Sequence, residues 1–408
     1  MRRGGYDLKA KAERSLAERF DPGRAVIGEG RAALHADEDA VEETTAAVSG
    51  ADCVVVVGSG TITDVCKEAT ARVGAPPLVV VQTAASVNAF SDDMAVLLRG
   101  GAKRTIPSRW PDALIIDLGA LACAPPAMNL ASFGDLVSLW TAPADWYLAS
   151  ATGMDEDYHP APVALVRDQG RELLRDAAGL REGDEEALGR LARVLTLSGF
   201  TLGIAGKTAP LSGTEHLVSH LIDMYAGRHG LPFAFHGAQV AVAALPVAAA
   251  WEVFLEEFDP SGVEIDRLFP DEATMEPVVR GTFARMDPSG GVGEECWSDY
   301  AKKLAVWRES RPRVEEFLEG WARHRARLRE MVLPPEALGD ALREAGAPTR
   351  FGELDPPVRP EIALWALANC HLMRNRFTLA DLLYYVGWWD EALIKRLLDR
   401  ARSAGGGL

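Results

Sequence analysis

Residues 51–58 read ADCVVVVG, four consecutive valines running into a glycine. A β-branched stretch with no polar alternation suits a strand buried on both faces, as in a parallel sheet. The chain continues from Gly58 as GSGTITDVCKEAT, a glycine turn that feeds a helix. Residues 77–82 (PLVVVQ) and 113–117 (ALIID) are further runs of the same kind. Strands alternating with helices predict a doubly wound α/β sheet. Residues 1–45 read as a helix, a short strand at 24–28 (RAVIG) and an acidic helix.

Beyond about residue 125 the strand-like runs stop. Helix-like stretches take over at 186–201, 237–255, 297–321 and from 360 toward 398. Pro246 and Pro312 are expected to kink or divide two of them. The chain is therefore read as α/β plus all-α. Residues 1–125 are expected to form an α/β domain of the dinucleotide-binding kind and 126–408 a helical domain. The final SAGGGL is expected to fray. No internal repeat is visible.

The formal charge of −16 argues against binding a nucleic-acid backbone or an anionic membrane. The five cysteines are scattered, with no CxxC, which fits reduced thiols in a cytoplasm. MRRGGYDLKAKAE lacks the apolar core of a signal peptide.

Candidate chemistry lies in four places. The segment 212–237 holds four of the eight histidines: His216, His220, His229 and His236. On a helix, His216 and His220 share one face. Such a pair is more often a surface or core feature than a metal site. Imidazoles from two helices can nevertheless hold zinc, iron or nickel, given a third ligand. Asp135, in FGDL, reads as a residue near a helix start, either a cap or that third ligand. The turn Gly58, Ser59, Gly60, Thr61, Ile62 would offer free N–H groups and a positive helix end to a pyrophosphate. Asp64 is read as a complement to that helix dipole. Thr83 and Ser86 follow the next strand, where ligands of open α/β sheets bind.

Taken together, VVVVGSGTITDVCK, VVVQTAAS, AKRTIPSRWPDALIIDL, APPAMNLASFGD, SGTEHLVSHLID, FHGAQV and RFTLADLLYYVGWW are similar to the glycerol-1-phosphate dehydrogenase family. That family sits in the larger group of iron-containing alcohol dehydrogenases, glycerol dehydrogenases and dehydroquinate synthases. The resemblance implies a dehydroquinate synthase-like fold with the active site between two domains. It implies a divalent metal on Asp135, His216 and His236, zinc in first place with iron or nickel as alternatives. It puts NAD or NADP on Gly58–Ile62 with Thr83 and Ser86 nearby, and His220 against substrate. The implied reaction is reversible hydride transfer to a small ketone or hydroxyketone, as in dihydroxyacetone phosphate to glycerol 1-phosphate.

The departures fall on the substrate side. Asn88 replaces an Asp thought to orient substrate, so it cannot act as a base. Asp92 stands where a cofactor-contacting Ser is usual, with Ser91 adjacent. Ala209 replaces an Arg of the phosphate-binding relatives, which leaves Lys207, or Lys103 and Arg104, to supply charge. Ala238 replaces a Glu, and residues 259–334 add helical length. Two other readings stand beside the dehydrogenase: a sugar-phosphate cyclase of the dehydroquinate synthase type, and a catalytically altered nucleotide-binding relative. A homo-oligomer is expected.

Overall fold

The structure, a computed structural model, describes every residue except 1, 4, 5, 32, 33, 100 and 101; the side chains of 2, 3, 6, 99, 102 and 103 are also outside the description. The chain forms two compact units, Met1–Phe133 with Leu165–Gly206, and Gly134–Ala164 with Lys207–Leu408.

In the first unit the valine run makes the strand Val54–Gly58, which pairs in parallel with Leu78–Gln82; that strand in turn pairs in parallel with Ala113–Ile116. Alternate side chains enter two separate cores. Val54, Val56, Leu78 and Val80 pack with Cys66 and Phe90. Val81 packs with Leu8 and Ala120, with Val55 and Val57 against them. Cover on both faces explains why the strands carry no polar alternation. The helices Glu38–Val48 and Gly60–Arg72 supply Ala40, Val41 and Val65 to a third cluster.

Two local expectations change. Residues 24–28 form no strand; they are irregular, with Arg24–Val26 exposed and Ile27 and Gly28 half-buried, so RAVIG is apolar but joins no sheet. The AKRTIP segment, for which no strand was expected, pairs antiparallel as Ala102–Pro107 with Met94–Arg99.

The second unit is helical. Its axis is the 22-residue helix His236–Glu257, nearly all of it buried. That helix is long and apolar enough to cross a bilayer, but 89% of its most apolar window is inside the core. Pro246 lies within it without dividing it. Pro312 does mark a division, because it sits in the first turn of Arg311–Glu319, where a missing N–H costs nothing. The C-terminal glycines do not fray. Gly407 bridges to Arg350, Thr349 Oγ1 donates to Gly405 O at 2.8 Å, and a Cβ on Gly406 would lie 2.2 Å from Leu245. Only glycine lets the chain pass that close.

The units do not divide at residue 125. The helix Glu185–Ala205, read as part of the helical domain, belongs to the first unit. The reason is close packing through its glycines. A Cβ on Gly199 would meet Ser91 Oγ at 2.2 Å, and one on Gly203 would meet the Trp110 ring at 2.1 Å. Ser91 Oγ donates to Thr196 O at 2.9 Å.

Candidate metal centre

Asp135 lies in the last turn of the helix Pro126–Leu136, not at a helix start, so it caps no N-terminus. A carboxylate at the negative end of a helix is unfavourable unless a cation faces it. His216 lies in the first turn of Thr214–Arg228, and His236 opens His236–Glu257. Glycines let these elements meet. A Cβ on Gly134 would fall 2.5 Å from Gly237 O and 2.8 Å from Ala241 Cβ, so the backbones beside Asp135 and His236 are in direct contact.

The ligand-type atoms of Asp135, His216 and His236 all lie within 4.8 Å of one another. His216 Nε2 is 3.2 Å and His236 Nε2 3.9 Å from Asp135 Oδ1. Ligands about 2.1 Å from a tetrahedral cation are about 3.4 Å apart, so small movements would seat one. His216 Nδ1 faces Glu215 Oε1 at 2.9 Å. Glu215 is itself held by Gly213 N at 2.7 Å and Thr141 Oγ1 at 2.8 Å. With its proton on Nδ1, a neutral His216 turns a lone pair toward Asp135 Oδ1, a buried oxygen with no hydrogen bond among the described residues. Two lone pairs at 3.2 Å need a cation between them or a proton on the ring.

The charges respond accordingly. Burial opposes the His216 cation, but Asp135 and Glu215 outweigh it and draw the imidazole up to about 9. Burial would likewise raise the Asp135 carboxyl, yet the close approach of the His216 imidazole and the charges of His216 and His236 hold it below the usual range. The donor set, one carboxylate and two imidazoles, suits zinc, iron or nickel. His220 stacks on His236, with ring centroids 5.2 Å apart and planes 25° apart.

The dinucleotide-type residues lie in the first unit. Ser59 is the N-cap of Gly60–Arg72 and makes no side-chain capping bond. Gly58 and Gly60 are needed sterically: a Cβ would lie 1.9 Å from Ile62 Cγ2 or 2.2 Å from Val87 Cγ2. Thr83 N donates to Gly58 O at 3.0 Å. Ser86 Oγ is buried with no hydrogen-bond partner among the described residues. An uncapped helix end and an orphaned hydroxyl fit an anionic cofactor. The loop is braced by Asn129, which the sequence reading missed; its Oδ1 accepts from Ala85 N at 3.0 Å and its Nδ2 donates to Leu121 O.

Other expectations shift. Asp92 Oδ1 accepts from Lys67 Nζ at 2.6 Å and Ser91 Oγ is held by Thr196 O, so both are committed internally. Asp64 is buried, and burial lifts its carboxyl to about 8, which is unsuited to complementing a helix dipole. Asn88 is half-buried and precedes the short turn Ala89–Ser91. The Lys207 ammonium sits 3.0 Å from Asp155 and 2.6 Å from Asp157, so two carboxylates already neutralise it. Near Ala209 the cation is Arg376, whose guanidinium donates to Thr208 Oγ1, Ser212 O and Ser212 Oγ. Nothing in the local sequence around Ala209 signals it. The Lys103 side chain lies outside the described residues; Arg104 is half-buried.

Residues 8–125 match the family described as iron-containing alcohol dehydrogenase. Glycerol-1-phosphate dehydrogenase [NAD(P)+] of Bacillus licheniformis is 29% identical over 332 residues, 80% of this chain and 67% of the relative. That of Pyrococcus furiosus is 32% identical over 238 residues, 58% of this chain and 65% of the relative. The chain is thus similar to iron-containing alcohol dehydrogenases in its first 125 residues and to glycerol-1-phosphate dehydrogenases over a longer stretch. Solved structures of similar fold align over nearly the whole chain. Maleylacetate reductase from Rhizobium sp. strain MTP-10005 has a TM-score of 0.56 at 19% identity, covering 97% of this chain and 87% of that one. Glycerol dehydrogenase from Schizosaccharomyces pombe has a TM-score of 0.54 at 14% identity, covering 96% and 81%. At such identity the likeness concerns fold alone. The curated relatives are matched over about two-thirds of their length or less.

Proposed function

We propose that the chain is an NAD(P)-dependent, metal-dependent alcohol dehydrogenase that reversibly reduces a small ketone or hydroxyketone. The observation that carries this reading is the buried meeting of Asp135, His216 and His236, with Asp135 Oδ1 left without a hydrogen bond. A divalent cation there would supply Lewis-acid polarisation of a substrate carbonyl, and a nicotinamide cofactor would supply or take up the hydride. Asp135, His216 and His236 are the residues that would hold it. His220, stacked beside His236, would hold a neighbouring hydroxyl or pass a proton, as histidine titrates in the useful range. Gly58, Ser59, Gly60, Thr61 and Ile62 would cradle the pyrophosphate, with Thr83 and Ser86 as hydroxyl donors.

The substrate side is less like the relatives. Asn88 can orient a hydroxyl but cannot ionise, and Lys207 is neutralised by Asp155 and Asp157. The relatives' name makes glycerol 1-phosphate and dihydroxyacetone phosphate the first pair to try. Unphosphorylated hydroxyketones come next. The same reading expects a cytoplasmic protein without nucleic-acid or anionic-membrane partners, on the strength of its acidic charge and scattered thiols, and a homo-oligomer as the usual assembly of such enzymes.

The test is metal analysis of protein purified without chelator, then NADH and NADPH oxidation with a panel of ketones and their phosphates. Net consumption of reduced nicotinamide supports the dehydrogenase. Turnover without net consumption would point to a cyclase. His236→Ala should lose metal and turnover while still binding dinucleotide; normal turnover in that variant would refute the assignment.

A further inference from the structure

One buried amide in the second unit has no role in the chemistry above. Gln239 is 1% exposed in an otherwise apolar stretch of the helix His236–Glu257. Burying a primary amide is costly unless its donors and acceptor are all met. Here they are met in one order. Gln239 Nε2 donates to Asp223 Oδ1 at 2.9 Å and lies 3.5 Å from Ala234 O. Gln239 Oε1 accepts from Ser219 Oγ at 2.8 Å. Ser219 Oγ is 2.9 Å from His236 Nδ1.

The direction of this chain follows from chemistry. A carboxylate and a main-chain carbonyl only accept, so the amide NH2 must face them and the amide oxygen must face Ser219. The serine's single proton then goes to Gln239, and its oxygen can only accept from His236. His236 therefore carries its proton on Nδ1, and its Nε2 lone pair faces the Asp135 side, 3.9 Å from Oδ1. We infer that Ser219, Gln239 and Asp223 are positioning residues, a directional relay that sets the tautomer of His236 for cation binding. The inference rests on the metal-dependent reading above.

The relay also fixes where the ring sits. Ser219 and Asp223 are one turn apart on Thr214–Arg228, and His236 and Gln239 are three apart on the next helix. Each pair therefore lies on a common helix face, and the bonds couple the two helices in one register. His216 reaches the same tautomer by another route, directly through the Glu215 carboxylate. Partners of this kind hold metal-binding imidazoles in place, and their loss typically costs about 10- to 100-fold in metal affinity.

The test uses Ser219→Ala, Gln239→Met and Asp223→Asn in the full chain. Asparagine has the shape of aspartate but can donate as well as accept, so it permits the relay to reverse. Long-range 1H–15N spectra of histidine-labelled, metal-free protein at about pH 9 report the tautomer, and competition titration reports zinc affinity. Wild type should show the Nδ1–H form of His236. Each variant should show mixed forms, with zinc affinity lowered about 10- to 100-fold for Ser219→Ala and Gln239→Met and less for Asp223→Asn. Retention of the wild-type tautomer and affinity in Asp223→Asn and Gln239→Met would overturn the relay. If Gln239→Met fails to fold, the near-isosteric Asp223→Asn decides alone. Wild-type protein that binds no zinc would instead overturn the metal reading, and the tautomer spectra would still decide the relay.

Discussion

Replacing Gly134 by alanine adds one methyl where two helix backbones touch. The new Cβ would lie 2.5 Å from Gly237 O, 2.8 Å from Ala241 Cβ and 3.2 Å from Gly237 C. An ordinary contact needs about 3.4 Å, so the helices must separate locally by about 0.6–0.9 Å, because the nearest atom is backbone and cannot rotate away. Overpacking of this kind costs about 1–3 kcal/mol. Gly134 and Gly237 adjoin Asp135 and His236, so the 3.9 Å separation of Asp135 Oδ1 and His236 Nε2 should change by a similar amount. Metal sites tolerate only about 0.2 Å in ligand distance. The assay is calorimetry on chelator-treated and zinc-loaded protein. Gly134→Ala should lower the melting temperature in both, by about 2–4 °C per kcal/mol, and more in the loaded form because ligand geometry is lost as well. Gly281 is a control, since it lies in the helix Glu272–Ala284 with nothing within 4 Å of its would-be Cβ. There the same substitution should stabilise by about 0.4–1 kcal/mol. Unchanged melting and zinc affinity in Gly134→Ala would refute the close approach that brings the ligands together.

Three further outcomes are expected. Above about pH 4 an unfolded chain releases the Asp64 proton while the folded chain keeps it up to about 8, so folded stability falls over that range by at most about 1.4 kcal/mol per pH unit. The melting temperature of Asp64→Asn relative to wild type should therefore rise between about pH 5 and pH 9, and a constant difference would contradict the burial argument. Deleting residues 404–408 leaves Phe351 N without its acceptor, leaves Thr349 Oγ1 only the longer contact to Glu353 Oε2 and uncovers Leu245; urea titration should show a loss of about 2 kcal/mol or more, and none if the tail is free. Lys303 Nζ meets Asp381 Oδ1 at 2.6 Å with both side chains wholly buried. Lys303→Met alone should cost about 3–5 kcal/mol, and the double variant Lys303→Met/Asp381→Leu should recover most of it; equal losses in the two would argue against an uncompensated charge.

The regular elements were legible because their signals are local. Four valines, a glycine turn and a following helix specify a buried parallel strand wherever it sits. Apolar periodicity marked the long helices. Pro312 ended one because its ring excludes an interior helical position, whereas Pro246 lies inside a continuous, largely buried helix. The tail was misread for the opposite reason. Glycines look flexible alone, and only the nearby Leu245 and Arg350 turn them into a packed strip. Lys207 was misread too, because a cation's availability depends on carboxylates some fifty residues away.

The residue types of the candidate centre, one carboxylate and two imidazoles, are set by the chain itself, as are the strand–turn–helix units that would meet a dinucleotide. Their use is not. Asp135 reads as a cap until the fold puts it at the far end of its helix, against His216 and His236. Gly134, Glu215 and Gln239 carry no signal in one dimension. Their importance arises from contacts between helices distant in sequence, where a missing Cβ sets a distance and an acceptor's position sets the direction of a proton. Helical and strand patterns depend on near neighbours and so survive in the sequence; the lone pair that His236 turns toward Asp135 depends on four side chains meeting in space, and only folding supplies that.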